Sequence, residues 1–285
     1  MVRPIWRAIM WVVLTVFVVM PLVNELLDLM IGPAPPGPLA FTPSSLALAE
    51  GFNFACALIV TGLFASYEHR RIDSYGMPIG KALKSPTFEG FLIGVVQPGA
   101  IALAMLASGA MQIRGLALGG SELVTGTLAW FGACLLIGIA EEYLFRGYFL
   151  QTLWKAIGFW PASAVIAFIF ALAHYLLKPG ENLWDVIALV SFSLLCCYSV
   201  LRTGNLWFAV GLHVAYDFMQ LFVIGTPNGG HFPVGRLLDA SFKGPEWLTG
   251  GPLGTEASWL AYPMDALGFA YVWWRFAKNP DFEPQ

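Results

Sequence analysis

The chain has 285 residues, of which 58% are hydrophobic and 12% charged, whereas soluble domains carry about 25% charged residues. Its 15 Lys and Arg and 18 Asp and Glu cannot cover a fold that also contains 22 Phe, 11 Trp and 9 Tyr, so a water-soluble protein is excluded and the surface is made for lipid. The net charge of −3 supplies no basic field for nucleic acid, which is set aside as a partner.

A bilayer core of about 30 Å takes roughly 20 apolar residues per helix. About eight runs of that kind occur in chain order: Ala8 to Ile31, Ser45 to Tyr67, Phe88 to Met111, Leu123 through the Glu141 region, Phe159 to Leu177, Leu183 to Leu201, Leu206 to Gly225, and Ala257 to Phe276. The first run follows Arg3 and Arg7 as a signal peptide would, but it is long and lacks an A-x-A site, so it reads as a retained span. Breakers separate the runs at GPAPPGP (Gly32 to Pro38), KPGEN (Lys178 to Asn182) and RTGN (Arg202 to Asn205). Trp6, Trp160, Trp184, Trp207, Trp259, Trp273 and Trp274 fall at run ends, where indole favours the interface. Cys56, Cys134, Cys196 and Cys197 lie in apolar stretches without metal spacing and read as core residues. The expected fold is therefore all-α, a single polytopic membrane bundle over residues 1–285 with a polar-motif core at about 123–225.

With alternate connections on opposite sides, Arg3, Arg7, Arg70, Arg71, Lys81, Lys84, Arg146, Lys155, Arg202, Arg275 and Lys278 share the N-terminal side, against Arg114, Lys178, Arg236 and Lys243 on the other. The positive-inside rule puts both termini in the cytoplasm of a cell (plasma or inner) membrane and the long Thr226 to Glu256 connection outside.

Ionisable groups within spans are costly and need a reason. Glu25, Asp28 and Glu50 sit near span ends and read as interfacial, Asp265 is ambiguous, and His69 and His231 fall in loops. The rest gather in IAEEYLFRGYFLQ (Glu141, Glu142, Arg146), FIFALAHYLL (His174) and GLHVAYDF (His213, Asp217). Residues four apart share a helix face, so Glu142 pairs with Arg146 while Glu141 points about 100° away as the free carboxylate. By the same rule Phe170 is a helix-mate of His174, and Asp217 of His213. If the glutamate helix runs on through Gln151 and Trp154 to a turn at Gly158, Glu141 and His174 fall at one depth, with His213 and Asp217 one to two turns nearer the cytoplasm. Four polar side chains from three helices would meet in a cavity opening to the cytoplasm. A poorly hydrated carboxylate beside a histidine is equipment for hydrolysis. Spacing alone also admits a buried pair that only fixes register, a metal site of Glu141, Glu142, His174 and His213, and a transporter's proton relay.

EEYLFRG (Glu141 to Gly147), FALAH (Phe170 to His174) and HVAYD (His213 to Asp217) resemble, in order and spacing, the motifs EExxxR, FxxxH and HxxxN/D of the CPBP family of type II CAAX prenyl endopeptidases and bacteriocin-processing or self-immunity proteins. The resemblance implies a metal-independent, cofactor-free glutamate peptidase with a cavity toward the cytosol. It makes Glu141 the base that activates water and His174 its partner. His213 and Asp217 would stabilise the oxyanion, and Glu142 and Arg146 would support them. Asp217 stands where asparagine is common, so it is either protonated and a donor, or it orients His213. The implied partners are the bilayer and a peptide or protein substrate, prenylated or otherwise membrane-anchored. A non-catalytic immunity or transport factor remains the alternative.

Overall fold

The computed structural model describes residues 2–31, 41–178 and 180–284, so the Gly32 to Pro38 linker and Pro179 of the KPGEN breaker lie outside the described residues. In chain order come α1 (Pro4–Val13), a π-helical stretch (Leu14–Val19), α2 (Met20–Ile31), α3 (Pro43–Tyr67), α4 (Ser85–Ser108) and strand β1 (Met111–Leu116). Then follow α5 (Gly120–Arg146), α6 (Tyr148–Ile157), α7 (Phe159–Leu177), α8 (Leu183–Thr203) and α9 (Trp207–Asp217), which continues as a π-helical stretch (Phe218–Ile224). Strand β2 (Leu238–Phe242), the single turn α10 (Glu246–Thr249) and α11 (Ala261–Arg275) complete the chain.

Seven helices among the described residues are long and apolar enough to cross a membrane, with α1 to α2, α5 to α6 and α9 with its π-helical extension each forming one of them. This is a polytopic helical membrane protein. The eighth expected run is shorter than the other seven: it coils only from Ala261, after a stretch rich in Gly and Pro, and its 15 residues reach about 22 Å at 1.5 Å per residue. Beyond the helices, β1 and β2 form a small antiparallel pair with a register shift at Ile113 to Gly115.

Both termini come to one face. There Val2 N–H donates to the Tyr67 hydroxyl at 3.1 Å, Arg7 pairs with Glu68, and Phe282 N–H donates to the Leu201 carbonyl. We call this the near face. The strand pair, α10, residues 41–42 before α3, residues 178 and 180–182 between α7 and α8, and the connection that joins α9 to α11 lie on the opposite, far face.

In lipid there is no hydrophobic drive between helices, so close contact depends on small side chains. Helix α9 is gripped on two sides in this way. A Cβ on Gly90 or Gly94 of α4 would fall 2.0 or 2.2 Å from the carbonyl oxygens of Phe208 and Leu212, and one on Gly211 would fall 2.1 Å from that of Thr87. From α5, Gly138 meets Val214, where a Cβ would approach a methyl to 2.6 Å. These contacts draw α9 to the backbone of both neighbours and set His213 beside the glutamates of α5.

Candidate active site

The α5 and α6 segments are separated at Gly147, with φ −72 and ψ −117. A Cβ there would lie 2.3 Å from the Tyr143 carbonyl oxygen, so only glycine lets the chain break its helical path one residue after Arg146. The expected unbroken run to Gly158 is corrected by this break. Counting residues along it overstates the depth of Glu141, and the expected one-to-two-turn mismatch with His213 disappears.

Before that break, Arg146 and Glu142 face inward and are wholly buried. Arg146 donates through Nη1 to Glu142 Oε1 at 3.2 Å and through Nη2 to Ser193 Oγ of α8 at 2.6 Å. Its guanidinium also stacks 4.7 Å above the Phe170 ring of α7. Phe170 packs in turn on the His174 ring, with centroids 4.5 Å apart. The aromatic residue of the second motif thus links the arginine of the first to the histidine of its own helix.

His174 Nδ1 lies 2.9 Å from the Phe170 carbonyl oxygen. A carbonyl only accepts, so Nδ1 carries the proton and Nε2 keeps a lone pair. His213 Nδ1 lies 2.9 Å from Glu142 Oε1, and the same logic makes it a donor to that carboxylate. Its Nε2 is turned toward Glu141 Oε2 at 3.7 Å and Asp217 Oδ2 at 3.8 Å. Both separations are too long for a direct hydrogen bond. Phe192 holds the ring edge-on at 5.2 Å.

The pairing of each histidine with a helix-mate is a hydrogen bond for His174, through the Phe170 carbonyl, and only a 3.8 Å ion pair for His213 with Asp217. Glu142 of the neighbouring helix orients that imidazole, and Asp217, one turn along, makes no hydrogen bond to it. The physical reason is reach: from the last residue of α9 the short aspartate stays 3.8 Å away, while the Gly138 contact brings the longer Glu142 within 2.9 Å.

Glu141, His174, His213 and Asp217 line one cavity of about 140 Å³, room for several waters. Glu141 and Asp217 keep 16% and 19% of their side chains exposed, against none for Glu142. Glu141 Oε2 makes no protein hydrogen bond, which leaves it able to accept one from water.

Residues that the sequence placed elsewhere complete the walls. Glu50, Asp265, Lys178, Asn228 and Glu256 all line the same space, so Glu50 is not simply interfacial. Lys178 Nζ stands 3.4 Å from Glu256 Oε1, to which Asn228 also donates at 2.8 Å. Gln97 of α4 donates to Asp265 at 3.3 Å. Burial pushes the Glu256 carboxyl up to about 7, against the pull of the Lys178 charge. No hydropathy signal finds Lys178, Asn228 or Glu256, because each belongs to a connection and meets the site only through tertiary structure.

Every connection that reaches the cavity is a far-face one, through Phe41, Lys178, Asn228 and Glu256. Toward the near face, the buried cluster of Phe145, Tyr148, Leu150, Leu206 and Val210 closes the bundle. Among the described residues, the connections that line the cavity thus lie on the face opposite the termini. His174 already lies about 24 Å along α7 from the near-face turn at Gly158, by its 16-residue separation and the rise per residue.

Residues 123–219 match the family model of the Rce1-like type II CAAX prenyl endopeptidases. That segment runs from α5 into the stretch that follows α9 and contains all three motifs. The match agrees with the CPBP resemblance, and this segment of a multi-pass membrane protein is similar to a CAAX-protease-type domain. No curated protein and no solved structure matches the chain.

Proposed function

We propose that the protein is an intramembrane endopeptidase of the glutamic, metal-independent type. The observation that carries this reading is the contrast between adjacent carboxylates. Glu142 is engaged by Arg146 and His213, while Glu141, 3.7 Å from His213 and without a protein hydrogen bond on Oε2, lines a cavity with His174.

A water in that cavity donates one proton toward Glu141, with His174 Nε2 as a second acceptor, and its oxygen attacks the peptide carbonyl carbon. Negative charge develops on the carbonyl oxygen, where His213 Nε2 and Asp217, when they carry protons, are donors. The proton held by Glu141 then passes to the leaving nitrogen as the C–N bond breaks, yielding a new carboxyl and a new amino terminus. What supports the metal-free route is that, among the described residues, no three His, Cys, Asp or Glu side chains are grouped so as to hold a metal ion. The substrate is a membrane-associated peptide or protein.

The test is mass spectrometry of membrane proteomes from cells with the wild type or Glu141→Gln, read for a peptide whose terminus depends on Glu141. Absence of any such terminus overturns the reading in favour of a non-catalytic factor. Loss of activity to a chelator, restored by zinc, would overturn the metal-independent route.

A further inference from the structure

We infer that Ser193 of α8, a helix that carries none of the three motifs, is a positioning residue: its hydroxyl holds the Arg146 guanidinium and, through it, the orientation of both histidines. The effect on turnover rests on the peptidase reading above, and the positioning does not.

Arg146 is the branch point of the buried polar groups. Its Nη1 donates to Glu142 Oε1 at 3.2 Å and its Nη2 to Ser193 Oγ at 2.6 Å, while Nε has no hydrogen-bond partner. The serine contact is the shorter of the two, and Ser193 is itself wholly buried. A planar guanidinium held at both terminal nitrogens keeps its orientation, whereas one held at a single nitrogen is free to turn. Cross-helix hydrogen bonds from serine are a usual means of fixing helices to one another in lipid.

Two lines of contact lead from the guanidinium to the site. Along the first, the Glu142 oxygen that accepts from Arg146 also accepts from His213 Nδ1 at 2.9 Å, so a turn of the guanidinium moves the carboxylate and then the imidazole whose Nε2 faces Glu141. Along the second, Arg146 stacks 4.7 Å above the Phe170 ring, which packs on the His174 ring at 4.5 Å. The residue before Ser193 adds a direct contact, since Phe192 meets the His213 ring edge-on at 5.2 Å and lines the cavity. Consecutive residues of α8 thus act on His213, one directly and one through Arg146. The same helix supplies a control: Ser199 is also wholly buried, but its hydroxyl donates to the Cys196 carbonyl at 2.7 Å, within α8.

Proton resonance of isotope-labelled histidine tests this. The His213 Nδ1 proton, buried and donated to a carboxylate, is identified among the signals of the four histidines by its loss in His213→Gln. In Ser193→Ala this signal should shift and exchange faster with solvent, and in Ser199→Ala it should stay where it is in the wild type. Turnover of a Glu141-dependent substrate per folded molecule should fall about tenfold to a hundredfold in Ser193→Ala, as expected when reacting groups are misplaced, with the loss in kcat and little change in KM. Ser193→Thr keeps the hydroxyl and should recover most of it, while Ser199→Ala should stay near the wild type. Ser193→Cys fills the same space with a weak acceptor and should behave as Ser193→Ala does, which keeps the question decidable if the alanine variant fails to fold. An unchanged His213 signal in the folded Ser193 variants overturns the inference. Equal losses of turnover at Ser193 and Ser199, or loss of folding in both Ser193→Ala and Ser193→Cys, would make Ser193 a packing residue and overturn it as well. The resonance needs no turnover, so failure of the peptidase reading leaves that result standing.

Discussion

Two buried arginine–glutamate pairs hold this bundle, and they are finished differently. At the near face Glu68 accepts from Arg7 at 2.5 Å and Tyr148 at 2.6 Å on one oxygen, and from Tyr75 at 3.0 Å on the other. Every acceptor is used, and what results is a latch between the first span, α3 and α6. In the site, Arg146 and His213 converge on a single oxygen of Glu142. The adjacent Glu141 is left facing a cavity. Near-complete burial and similar charge thus give a closed cluster in one place and an open one in the other, and the open one marks where a substrate and water belong.

Removing Glu141 should break that contrast most severely. Glu141→Gln keeps the shape but loses the base, so turnover should fall by about a thousandfold, within the range for a general base. The melting temperature should remain near that of the wild type, because no protein group depends on this carboxylate. Turnover of a Glu141-dependent substrate and thermal unfolding in detergent measure the two effects. Equal loss of folding and activity would place Glu141 among the structural carboxylates.

Glu142→Gln and Glu68→Gln sharpen the comparison. Each leaves a buried arginine without its charge partner, which costs on the order of 3 kcal/mol, read as lowered unfolding midpoints. Only Glu142→Gln should also reduce turnover per folded molecule, because His213 loses the carboxylate that fixes its orientation. A turnover defect of similar size in folded Glu68→Gln would show that the near-face latch also shapes the site.

How much of this was legible in the chain follows from the range of the interactions. The Glu142–Arg146 pair and the exposure of Glu141 follow from helical spacing within one element. The Phe170 support of His174 is likewise a one-turn relation. The orientation of His213 by Glu142 crosses helices and depends on how closely Gly138 lets α9 approach, which no periodicity reports. Gly147 stood in plain sight at the end of the first motif, yet a glycine at a helix break and a glycine inside an apolar run look alike. Glu50 was visible as a polar residue near a span end and Asp265 as an ambiguous one in the last span, but their place in the wall depends on the bundle's arrangement.

The near-face latch and the Lys178–Glu256 pair of the cavity wall respond to pH in opposite directions. Burial pushes Glu68 up, but hydrogen bonds from Tyr148 and Tyr75 and the Arg7 charge outweigh it and hold the carboxyl below its ordinary 4.5. A folded-state value below the unfolded one gives stability that is present above about pH 4.5 and lost as pH falls. In the cavity wall, Glu256 is raised from 4.5 to about 7 by burial, so its contribution is fully present below pH 4.5 and is lost as pH rises toward 7. Glu256→Gln should therefore gain on the wild type in thermal stability between pH 5 and 7, and Glu68→Gln should approach it below pH 4.5. Parallel pH curves for wild type and Glu256→Gln would refute the place of Glu256 in the wall.

The smallest effect is expected at Asp217. Had this carboxylate oriented His213, Asp217→Asn would reduce the rate by removing the charge that stabilises the imidazolium. The geometry gives that task to Glu142, whose Oε1 lies 2.9 Å from Nδ1, and leaves Asp217 3.8 Å from Nε2 with its side chain open to the cavity. Its remaining role is toward the substrate oxygen, where an asparagine amide donates as well as a protonated acid. Asp217→Asn should thus retain turnover within a few-fold, with a pH–rate profile that overlies the wild type. Asp217→Ala, which removes the donor, should lose roughly a hundredfold. A loss confined to low pH in the asparagine variant would return the orienting role to Asp217.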